Sequence, residues 1–144
     1  LRRPFEKGSA PLGFVLPCDH RIHFALNCGA KSCPPVKWFT KEALDEELKL
    51  VAMAWVEQEN NVKVDVKART LWLSKICSWY SADFGADKQA IAATLVQHMR
   101  GEKKEQLEGL MKGKFSLKHM PYDWSTNSRN SIKFSESCLS CFFK

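Results

Sequence analysis

Two kinds of hydrophobic repeat stand side by side in this chain, and no all-helical or all-strand fold satisfies both. Leu44, Leu48, Val51, Ala52, Trp55 and Val56 recur at the spacing that lays apolar side chains along one stripe of a helix. A few residues later the period changes. Val62, Val64 and Val66 alternate with Lys63 and Asp65, Lys67 to Thr70 reads as a turn, and Leu71, Trp72 and Leu73 follow. That is the pattern of a β-hairpin. The fold class expected is α+β, a small sheet with helices packed on it.

The same reasoning extends to both sides. Ile22, Phe24, Leu26 and Cys28 alternate with His23, Ala25 and Asn27, which predicts a strand from Arg21 that Gly29 ends. On such a strand His23 and Asn27 share one face and Cys28 points to the other. Ser32 to Pro35 reads as a turn, Thr40 as the cap of the first helix, and Asp45 and Lys49 as an ion pair on its wet side. Ser74 is expected to cap a short helix carrying Ile76, Trp79 and Tyr80, closed by Gly85. A second helix from about Asp87 buries Ile91, Leu95 and Met99, a third runs from about Glu102 to Met111, and Phe115, Leu117 and His119 make a last strand before Pro121. The sheet is therefore assigned the Arg21, Val62, Leu71 and Phe115 segments. Its core should unite Ile22, Phe24, Leu26, Leu48, Trp55, Val64, Trp79, Leu95 and Phe115. Phe5 to Pro17 reads as a loop, and Ser128 to Lys144 as a tail outside the packed unit.

At 144 residues, with 44% hydrophobic and 26% charged, the chain suits one folded domain with one core. Its first residue is Leu1, and it reads as a piece of a longer protein. No apolar run reaches the length of a membrane span, so no membrane span is expected. Six cysteines are too sparse for a disulfide scaffold, which points to reduced thiols and a cytoplasmic location. The net charge of +6 is spread among acidic residues, with no nucleic-acid-binding module beside it, so no nucleic-acid partner is expected.

Three blocks carry a family likeness. Arg21-Ile22-His23-Phe24-Ala25-Leu26-Asn27-Cys28-Gly29-Ala30-Lys31-Ser32-Cys33-Pro34-Pro35, then Ser74 to Gly85, then Tyr122-Asp123-Trp124-Ser125-Thr126-Asn127, closely resemble the family catalogued as domain of unknown function 547. The resemblance covers about residues 1 to 127 and implies the C-terminal part of that domain, with the remainder upstream of Leu1 in the same chain. Larger eukaryotic proteins with this domain carry a leucine-zipper coiled coil, a DEP domain or a glutaredoxin domain ahead of it. The family's layout is similar to papain-like and transglutaminase-like folds, an analogy of fold and not of activity. Residues 128 to 144 depart from the family pattern.

The candidate catalytic residues are His23, Cys28 and Cys33. A thiol enzyme needs a thiolate held near an imidazole that lowers its pKa and relays protons. Strand geometry sends Cys28 away from His23, so Cys33, after the Gly29 turn, is the thiol expected to return to it. The plain structural alternative makes Cys28 a buried small hydrophobe and Cys33-Pro34-Pro35 a loop-shaping turn. Asp123 is a candidate orienting carboxylate for His23 or a simple turn residue. A metal reading gathers Cys18, His20, His23, Cys28 and Cys33, but the spacing lacks the matched pairs of a zinc finger, and neither metal nor cofactor is expected. Cys138 and Cys141 form a C-x2-C pair in the tail, without the βαβ setting of a redox enzyme. The five tryptophans are expected in core or rim packing. Two functions are carried forward: an interaction or regulatory module acting on an unknown protein partner, and a thiol-dependent hydrolase or acyl transferase using Cys33 or Cys28 with His23.

Overall fold

A computed structural model describes residues 17–126. The expected loop from Phe5 to Leu16 and the expected tail 128–144, with its Cys138 and Cys141 pair, lie outside the described residues. The class is α+β, with five α-helices and a three-stranded mixed sheet among the described residues.

The helical repeat forms α1, Leu44–Glu57, and buries Leu48, Val51, Ala52, Trp55 and Val56. Its start differs from expectation. Thr40 lies one turn outside the helix, where its amide and hydroxyl donate to the Glu47 carboxylate at 2.8 and 3.1 Å, while the N-cap Ala43 has no side-chain bond. Lys49 bridges Asp45 and Glu46 at 2.7 and 2.8 Å. The alternating repeat forms β1, Val62–Asp65, and β2, Thr70–Leu73, paired antiparallel with Val62 opposite Leu73. Arg69 closes the hairpin with φ 47°, and its guanidinium donates to the carbonyls of Lys114 and Leu110. Gly113 makes room for it, since a Cβ there would lie 2.7 Å from Arg69 Nη2.

Ser74 caps the next segment, accepting from the Ile76 amide, and the segment divides into α2, Lys75–Trp79, and α3, Ser81–Phe84. Gly85 follows as the C-cap of α3, and a Cβ there would meet Ala90 Cβ at 2.6 Å, a close approach that only glycine allows. Asp87 caps α4, Lys88–Val96, by accepting from the Ala90 amide. After α5, Gly101–Met111, the chain returns as β3, Ser116–His119, parallel to β2. The order β1-β2-β3 makes β2 central, consistent with fully buried Leu71 and Leu73.

One expected strand is absent. His20–Phe24 is a 3-10 turn, not a fourth strand, so the sheet lacks the Arg21 segment. Asp19 accepts from the Arg21 amide and grips its guanidinium, whose other arm reaches Asp45 on α1 at 2.8 Å. This side-chain competition for the backbone favours a turn over a ladder. About three residues per turn let the consecutive His23 and Phe24 both face inward, which a strand forbids. Accordingly Ile22 is 41% and Leu26 60% exposed, while His23 and Phe24 are buried. Phe24 stacks on Trp55 at 4.3 Å between ring centroids, and burying each ring contributes roughly 2–3 kcal/mol. Trp55, Leu95 and Phe115 join Phe24 in one core, Val64 packs on its edge, and Trp79 is half-exposed on the surface instead.

Candidate functional site

The segment after the 3-10 turn is a tight loop built by its own polar groups. Asn27 accepts from the Gly29 amide through Oδ1 at 2.7 Å and donates through Nδ2 to the Pro34 carbonyl, clamping both ends. Gly29 has φ +84°, a left-handed conformation that favours glycine. The Cys33 amide donates to the Ala30 carbonyl, completing the turn. The closing segment, residues 120–126, lies against this loop: Lys31 and Ser32 donate to the carbonyls of Ser125 and Asp123, the Asp123 amide donates to Ser32 Oγ, and Ala30 bridges to Thr126.

This framework brings two thiols together. Cys28 Sγ and Cys33 Sγ lie 2.8 Å apart, and Cys33 Sγ also accepts from the Cys28 amide at 3.1 Å. The Tyr122 hydroxyl sits 3.1 Å from Cys33 Sγ and 3.8 Å from Cys28 Sγ. Burial and the two thiols hold the Tyr122 hydroxyl well above the usual phenol range, so it stays a donor at neutral pH. The Cys28 thiol is lowered from its ordinary value, first by the hydrogen bond from Cys33, then by the Ala30 amide and the Tyr122 hydroxyl. Cys28 is exposed and Cys33 half-buried. The expectation that Cys28 faces the core is therefore corrected: without the strand, its alternation has no sheet to point through. Among the described residues Cys77 is the buried thiol, pushed up to about 12 by desolvation.

His23 stands elsewhere in the hydrogen-bond network. Its Nε2 lies 2.8 Å from Asp83 Oδ2, and its ring stacks on Tyr80 at 4.1 Å. The His23 bond is the largest influence holding the Asp83 carboxyl below its usual value; an ionised carboxylate only accepts, so Nε2 carries the proton in this contact. Nδ1 is buried with no hydrogen-bond partner. Neither Cys28 nor Cys33 bonds the imidazole, so the structure joins the two thiols to each other and His23 to an aspartate. Asp123 does not orient His23; it accepts from the Ser125 amide and hydroxyl in a local turn and pairs with Lys31 at 3.7 Å. His20 meets His98, Nε2 to Nε2, at 2.8 Å, and Cys18 is exposed with its thiol raised by desolvation and then by Asp83. Among the described residues no group of three or more His, Cys, Asp or Glu side chains is placed to hold a metal ion.

Sequence reasoning missed Asp83 and Tyr122 as partners. Both lie in the second and third blocks of the family likeness, which was the one signal available for them.

Trp79, Tyr122 and Trp124 form a surface cluster beside the dithiol, with ring centroids 4.7 to 5.3 Å apart. Trp79 and Trp124 are 45% and 65% exposed. No described helix is long and apolar enough to cross a membrane. No curated protein and no solved structure matches the chain. Residues 4–56, which hold His23, Cys28 and Cys33, match the model of a family described as protein of unknown function, DUF547.

Proposed function

We propose that this chain is a regulatory module whose working group is the Cys28–Cys33 dithiol, a surface thiol pair that responds to two-electron oxidants such as a peroxide. The observation that carries the reading is the 2.8 Å approach of an exposed thiol and a half-buried one, held by a shared hydrogen-bond network. A reactive cysteine needs thiolate character and access, and a sensor needs a second thiol in reach. Cys28 supplies the first and Cys33 the second.

The chemistry balances with one peroxide. The Cys28 thiolate attacks a peroxide oxygen, forming a sulfenic acid and releasing hydroxide, which takes a proton to become water. Cys33 sulfur then attacks the sulfenic sulfur, forming the S–S bond and expelling a second water once its thiol proton is transferred. Two thiols are oxidised and one peroxide is reduced to two waters. The hydrolase and acyl-transferase reading stands second because the His23 imidazole is engaged by Asp83 rather than by sulfur.

The test is mass spectrometry of the chain after brief treatment with equimolar hydrogen peroxide. A loss of two hydrogens, mapped to a Cys28–Cys33 linked peptide and abolished by Cys33→Ser, is the expected result. Oxidation distributed without preference over Cys18, Cys28 and Cys33, with no internal disulfide, would overturn the reading.

A further inference from the structure

The dithiol and the exposed aromatic cluster share one residue. Tyr122 places its hydroxyl on the sulfurs and its ring against both Trp79 and Trp124. On one side its backbone neighbour Met120 donates to the Leu73 carbonyl, extending the sheet edge; on the other, Asp123 and Ser125 are bonded to the Cys33 loop. The Tyr122 hydroxyl thus contacts both sulfurs while its ring contacts both tryptophans.

We infer that Tyr122 couples the oxidation state of the Cys28–Cys33 pair to the packing of the Trp79–Tyr122–Trp124 surface, so that disulfide closure rearranges that face. The inference rests on the dithiol reading above and names its output. Before oxidation the sulfurs are 2.8 Å apart and take the tyrosine hydroxyl as a donor. A disulfide draws them to about 2.05 Å with a Cβ–S–S–Cβ dihedral near 90°. A disulfide sulfur has no S–H to donate and is a weaker acceptor than a thiol or thiolate sulfur, so the contacts Tyr122 makes at 3.1 Å to Cys33 and 3.8 Å to Cys28 weaken on closure. The hydroxyl therefore loses its best partner as the loop shifts, and it turns toward water, taking the ring with it. In this scheme Tyr122 is a positioning residue: the redox step belongs to the two sulfurs.

The face is compact rather than open. Its rings pack edge-on or tilted, at 64°, 37° and 57°. What changes on oxidation is therefore the arrangement of exposed indole surface. Trp38, Trp55 and Trp72 lie outside this cluster, so the Trp124→Phe difference isolates the cluster's share of the signal.

The experiment follows tryptophan emission and near-ultraviolet circular dichroism of the full chain as the dithiol is closed with peroxide and reopened with a reducing phosphine. The disulfide is quantified in parallel by mass spectrometry. The expected result is a reversible red shift with loss of near-ultraviolet signal, lost in Cys33→Ser and reduced by at least half in Trp124→Phe. Tyr122→Phe keeps the ring but should uncouple the two signals, and it should move the pH profile of Cys28 alkylation upward, which a purely structural residue would not do. A disulfide that forms in full with unchanged emission overturns the coupling and leaves the sensor reading standing. A chain that forms no disulfide removes both. A Tyr122→Phe variant with unaltered optical response and unaltered Cys28 pH profile also overturns the role given to Tyr122.

Discussion

The Cys28–Cys33 loop and the His23 turn are close neighbours in sequence and opposites in environment. In the loop, the Cys33 thiol first, then a backbone amide and a phenol, favour the ionised form of an exposed thiol. In the turn, an imidazole is 6% exposed, stacked on Tyr80 and tied to a carboxylate. Residue types that together suggest one thiol enzyme are thereby divided between an accessible thiol pair and a buried polar anchor. The lesson is that chemistry follows access and hydrogen-bond partners, both of which the 3-10 turn redistributes by turning His23 and Phe24 inward together.

Ordered by size, the first way to break this comparison is to measure thiol access. Cys28 should react with iodoacetamide at neutral pH more than about 100-fold faster than Cys77, because labelling a core thiol requires an opening that costs more than ~3 kcal/mol. Comparable rates would show that the Cys77 core is loose. Next in size, His23→Ala should lower unfolding stability by about 2–3 kcal/mol in chemical denaturation, through lost ring packing and a lost Asp83 bond. The Cys28 alkylation rate should stay unchanged in that variant. A marked fall would bring the imidazole back to the thiol and favour the hydrolase reading.

A smaller effect belongs to Asp83. Its folded carboxyl lies below the ordinary value, so it contributes stability above the unfolded pKa of about 4 and loses that contribution as pH falls through the folded value. Asp83→Asn should therefore destabilise at neutral pH by less than about 1 kcal/mol, since the side chain is about one-third exposed, and flatten the acid limb below about pH 4. Thermal unfolding between pH 2 and 7 checks both. An acid limb as steep as the parent's would mean that another carboxylate carries it. Smallest of all, Lys49→Ala, which reaches the turn only through the exposed Asp45, should leave the unfolding midpoint within measurement error and leave both thiol and histidine behaviour alone.

Much of the framework is legible in the residues because it is local. The hairpin, the Ser74 cap, the helix start near Asp87, the Gly85 stop and the α1 stripe each depend on a repeat or a terminating residue within a few positions, and each is observed. The Arg21 segment reads wrongly for the same reason. Its alternation satisfies a strand template, but the Asp19 clamp and the Arg21 contact to Asp45 on α1 select a turn, and the second of these is a tertiary contact.

The sequence by itself determined the α+β class, the order of the elements after Gly29 and the pool of chemically capable residues, since periodicity and capping act along the chain. Only the tertiary structure decided their pairing. Cys33 meets Cys28 and Tyr122, and His23 meets Asp83, through contacts between residues as many as 94 apart in the chain. No local repeat encodes such distances. They arise where the closing segment hydrogen-bonds along the Ala30–Cys33 turn and where α3 packs over the 3-10 turn, the latter with Phe24, Phe84 and Trp55 in one core.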